Sequence, residues 1–140
     1  MIYKININLM MLLILIVICQ SKMYGQDYTQ VLYFNKNSSV LDSANKVSID
    51  RFVEKIKTKN ISYIKIFSFT DTTGTDYNNN NLSKLQGQEV YDYLKDMIHI
   101  DTAKIYVEWL GESDEIYDLH YPKAHKQQNC IDIIAFIYKN

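Results

Sequence analysis

Phe69–Leu94, FTDTTGTDYNNNNLSKLQGQEVYDYL, is the stretch from which the rest of the chain is read. It leaves a buried strand, crosses a loop of Thr, Asp, Gly and Asn, and enters an amphipathic pattern. Leu82, Val90, Tyr93, Leu94 and Met97 recur at helical spacing, which predicts a helix over 82–98 with those residues as its buried stripe. Asn78–Asn81 read as polar loop. Polar groups gathered where a sheet hands over to a helix N-terminus make a common ligand address, because loop and helix-end N–H groups there are unpaired.

Upstream, Ile61–Phe69 (ISYIKIFSF) is apolar on both faces, as an interior strand requires. Before it, Asp42 or Ser43 can cap a helix running to about Thr58, with Ile49, Phe52, Val53 and Ile56 on one side and Arg51 and Lys55 on the other. Tyr28–Phe34 (YTQVLYF) is rich in aromatic and β-branched residues and predicts a first strand. Downstream, Asp101-Thr-Ala is a turn and Lys104–Leu110 (KIYVEWL) alternates as a strand. Gly111–Gln128 is a charged, irregular connection holding Pro122, the only proline, and Ile131–Tyr138 (IDIIAFIY) is a last strand. The order β-α-β-α-β-β predicts an α+β two-layer sandwich, a mixed sheet with its two main helices on one face.

At the N-terminus, Lys4 precedes the apolar run Leu9–Cys19. Eleven residues at ~1.5 Å each fall short of the ~30 Å hydrocarbon core of a bilayer. With Gly25 as a small residue after the run, residues 1–25 read as an export signal and 26–140 as the domain proper. Two alternatives stay open: an uncleaved anchor or buried helix, and a lipid anchor on Cys19, although Ile18 is larger than the residue that normally precedes a lipidated cysteine. Without residues 1–25 the chain carries 13 Lys and Arg against 16 Asp and Glu, near −3. Such a balance argues against nucleic acid, whose phosphates are bound by clustered cations. Arg51 is the only arginine.

The loop and helix resemble the OmpA-like peptidoglycan-binding domains, whose pattern is T-D-x-x-G-x-x-x-x-N-x-x-L-S-x-x-R-A-x-x-V. Thr70, Asp71, Gly74, Asn79, Leu82, Ser83 and Val90 stand at the matching places without a gap. Phe34-Asn35 and Gly111-Glu112-Ser113 also look like the family, and the similarity extends over most of 28–138. The resemblance implies an exported domain in the periplasm or at the outer membrane of a Gram-negative envelope, non-catalytic, gripping the diaminopimelate of peptidoglycan stem peptides. It gives the loop aspartate, here Asp71, the ligand's ammonium, and gives the helix arginine the ligand's carboxylate. An Arg fork holds a planar anion with two charge-assisted hydrogen bonds, so the division suits a zwitterion.

The chain departs from the pattern at the second role. Gln86 occupies the arginine position, Gly87 follows in place of alanine, and Asn129 and Cys130 stand where an Arg-Arg pair usually precedes the last strand. A neutral donor in place of a charged one costs about 1–2 kcal/mol, so the expected peptidoglycan binding is weak or altered. The site residues are then Thr70, Asp71, Gly74, Asn79, Leu82, Gln86 and Asn129. The alternative is a degenerate fold serving as a structural or adaptor module for envelope proteins, with Asp71 only a turn residue of an Asx-rich loop. Asp71 with Asp76 lacks EF-hand spacing. His99, His120 and His125 lack a ligand pattern for zinc. Glu112, Asp114, Glu115 and Asp118 read as a solvated acidic surface and Cys130 as a small buried residue. No nucleophile–base arrangement is legible and nothing asks for a cofactor.

Overall fold

The computed structural model describes residues 27–71, 73–112 and 129–138. The expected export signal with Cys19, and the connection 113–128 with Asp114, Glu115, Asp118, His120, Pro122 and His125, lie outside the described residues. Among these residues are four strands, β1 (Tyr28–Tyr33), β2 (Ile61–Phe69), β3 (Ile105–Gly111) and β4 (Cys130–Ile137), and two α-helices, α1 (Ser43–Ile56) between β1 and β2 and α2 (Asp76–Met97) between β2 and β3. The strands form one mixed sheet in the order β1-β4-β2-β3. β4 is antiparallel to both β1 and β2, and β2 is parallel to β3. β2 is thus interior, as its two apolar faces predict.

Period-two alternation divides the sheet. Ile64 and Ile66 of β2, with Ile131, Ile133 and Ala135 of β4, meet Ile49, Phe52, Val53 and Ile56 of α1 and Val90 and Leu94 of α2 in one continuous core. Phe67, Phe69, Cys130 and Ile134 form a second cluster on the opposite face. Asp42 caps α1, accepting from Asn45 N–H at 2.8 Å, and Arg51 is exposed. The expected α+β sandwich is therefore the observed fold, with strand ends shifted by one residue in β1, β3 and β4.

The larger difference is at α2, which begins at Asp76 and not at Leu82. Asn78–Asn81 are poor helix formers, which is why they read as loop. Thr75, however, is the N-cap, its hydroxyl accepting from Asn78 N–H at 3.3 Å, and Asp76 places a carboxylate in the first turn, where the helix dipole favours it. The buried stripe differs accordingly: Asn79, Ser83, Gln86, Gly87, Val90 and Leu94. Leu82 is half-buried, and Tyr93 and Met97 pack against the core without being fully buried. The stripe changes chemistry along its length because its first turns meet loops and strand ends, and only its last turns meet the core.

Candidate ligand-binding site

Backbone geometry brings three chain segments to the C-terminal ends of β2 and β3. β3 takes a bulge there: Ser68 pairs Trp109, but the next residue of β2, Phe69, pairs Gly111. Gly111 has φ +56 and its carbonyl accepts from Thr70 N–H at 2.8 Å. Its own N–H donates to Ser83 Oγ at 3.3 Å, while the Ser83 hydroxyl donates to Asn80 O at 2.9 Å. One residue on, Glu112 Oε2 accepts from Asn79 Nδ2 at 2.7 Å. Two side chains of α2 thus tie its first turns to the end of β3. Gly87 lets the helix lie close, since a Cβ there would stand 3.0 Å from Val107 Cγ1. What glycine loses in helix propensity, up to ~1 kcal/mol against alanine, is matched here by close helix–sheet approach.

The Asp/Thr/Gly loop folds over this junction. Asp71 is half-buried and its N–H donates to Asn129 Oδ1 at 3.2 Å. Asp71 Oδ1 accepts from both the N–H and the hydroxyl of Thr73, an Asx-type turn. Gly74 has φ +124, a conformation that L side chains rarely adopt, and a Cβ there would also press Asn79 Oδ1 at 3.1 Å. Thr70 is buried and its Oγ1 has no hydrogen-bond partner among the described residues.

Beside the loop lies an open cleft of about 490 Å³ lined by Lys36, Asn37, Thr73, Gly74, Asn78, Asn79 and Leu82. Gly74, Asn79 and Leu82 of the sequence-derived site therefore share one cavity. Asp71 adjoins it through Thr73, and Asn129 is held to Asp71. Gln86 lies apart from the cleft lining. It is fully buried, its Nε2 donates to Ser38 O at 2.8 Å, and its Oε1 has no partner among the described residues. Position 86 thus braces the β1–α1 loop from beneath.

From the sequence Asn35–Ser39 reads as a polar loop, but not as part of the site. Ser38 N–H donates to Asn35 O at 3.0 Å, closing a tight turn in which Asn37 takes φ +55. Asn is the residue other than glycine that enters the left-handed region most readily, so the Asn-Lys-Asn-Ser run carried a turn signal. Nothing local to it indicated which helix it would face. Among the described residues no cluster of His, Cys, Asp and Glu has a metal-binding arrangement, and no helix is long and apolar enough to cross a membrane.

A model of the OmpA family matches residues 33–129. Outer membrane protein 40 of Porphyromonas gingivalis is 32% identical over 89 residues, 63% of this chain. The chain spans only 23% of that protein's length. Among solved structures, the OmpA-like domain of FopA1 from Francisella tularensis superposes with a TM-score of 0.59 at 26% identity, covering 84% of this chain and 80% of that one. The peptidoglycan-associated lipoprotein of Burkholderia pseudomallei gives a TM-score of 0.58 at 18% identity, covering 76% and 89%, a likeness of fold.

Proposed function

The chain belongs to the OmpA family, and on that premise we propose a non-catalytic domain of the cell envelope that binds the diaminopimelate stem peptides of peptidoglycan weakly. One observation carries the reading: the cleft stays open where the motif loop meets α2, with Asp71 fixed beside it. Thr73 occupies one oxygen of the Asp71 carboxylate, leaving Oδ2 for a ligand ammonium. Asn129 positions Asp71 from behind, Gly74 and Asn79 shape the cleft wall, and Thr70 supplies the strand end from which the loop departs. Gln86 contributes no charge for the ligand's carboxylate, which makes the grip weak. Export of the chain with loss of residues 1–25 belongs to the same proposal; mass spectrometry on protein from the native envelope checks it, and an intact N-terminus would count against cleavage.

A second reading has its own observation. Gln86 is fully buried and engaged with Ser38, as in a domain whose pocket has been rebuilt for stability and whose surface serves another envelope protein. Co-sedimentation with purified sacculi separates the two. Native protein should pellet with the sacculi and Asp71→Asn should stay in the supernatant while remaining folded. Equal behaviour of the two proteins favours the adaptor.

A further inference from the structure

We propose that Lys36 supplies the cation for the ligand's carboxylate, the role that no arginine in or around this cleft can fill. The inference rests on the proposed peptide-binding function and names a residue for it. Arg51, the single arginine, is exposed on α1 among residues that do not line the cleft. Lys36 does line it, from the wall opposite in sequence to Thr73 and Gly74: one wall is the β1–α1 turn, the other the loop after β2.

The turn presents the lysine in a defined way. Closed by the Ser38–Asn35 hydrogen bond and by Asn37 in the left-handed region, it sets Lys36 at its leading corner. Gln86 holds the same turn from below through Ser38 O. Gln86 thereby acts as a positioning residue for the wall that carries the charge. Lys36 is exposed, and among the described residues no carboxylate pairs with it, whereas Lys57, Lys65 and Lys95 each have one. An ammonium with no carboxylate partner among the described residues at one wall, and the Asp71 carboxylate beside the other, form a two-point site for a zwitterion. A lysine is a point charge with three donors and no fork, so it holds a carboxylate with less geometric selectivity than an arginine. Its exposure caps the pair's worth at about two- to fivefold in affinity.

The test is calorimetric titration of the full chain with two soluble stem peptides, one with the free carboxylate of diaminopimelate and one with that carboxylate amidated. Native protein should bind the free acid about two- to fivefold more tightly than the amide. Lys36→Gln should erase that preference by weakening only the free acid, Lys36→Arg should retain it, and Asp71→Asn should weaken both peptides. If Lys36→Gln leaves the preference intact, or weakens both peptides alike, the assignment of Lys36 is overturned while peptide binding stands. If native protein binds neither peptide, the binding function itself falls and the assignment with it.

Discussion

Ser83 shows how a motif residue can hold the candidate site together without lining its cleft. Its hydroxyl donates to Asn80 O and accepts from the buried N–H of Gly111, so α2 and the bulge at the end of β3 share one oxygen. Ser83→Ala removes the acceptor and leaves a buried backbone donor unpaired, which costs about 1–3 kcal/mol. A urea midpoint lowered accordingly, with unchanged slope, is the expected result. An unchanged midpoint would mean that water or a neighbour replaces the contact. Asn79 has the same double character, holding Glu112 while lining the cleft. The resemblance to the family pattern placed Asn79, Ser83 and Gly74 in one motif, because they match it without a gap. It did not reveal that Gln86 would face Ser38, since the residues are far apart in the chain and a glutamine signals no partner of its own.

Helix α2 is the element where reading by propensity failed and tertiary structure prevailed. Four asparagines in succession favour turns in isolation, yet the cap at Thr75 and the two anchors to β3 add enough to carry the helix through them. Its other end was legible, because Val90 and Leu94 meet an apolar core that obeys simple periodicity. The two helices are also joined by a polar contact, Tyr93 Oη donating to Asp50 Oδ1 at 2.9 Å. That hydrogen bond to a carboxylate, with some burial, raises the tyrosine pKa above its usual 10.0. A raised pKa means the bond's contribution is fully present below the unfolded value and is lost as pH rises through the folded one. Tyr93→Phe should therefore cost about 0.5–1.5 kcal/mol at neutral pH, toward the lower end because solvent reaches the pair. The gap between native and variant urea midpoints should close at strongly alkaline pH. A gap that persists there would assign the loss to packing instead.

Across the whole molecule, the fold was readable because each strand and the apolar half of each helix carries its own hydrophobic signal. Ile61–Phe69 even declared its interior position by being apolar on both faces. The cleft was half readable. Its Thr73–Leu82 wall lies within one continuous stretch of sequence, whereas the wall with Lys36 and Asn37 reaches it only through the packing of the β1–α1 turn on α2. A domain built this way should respond to its ligand at that one junction and stay rigid elsewhere. The most direct measurement is an amide chemical-shift titration of the full chain with a soluble diaminopimelate-containing stem peptide. The predicted result is saturable shifts confined to Asp71, Thr73, Gly74, Asn78, Asn79, Leu82, Asn129 and the turn around Lys36. Shifts confined to the exposed sheet surface at Tyr63 and Tyr106, or no shifts at all, would contradict peptidoglycan recognition at this cleft.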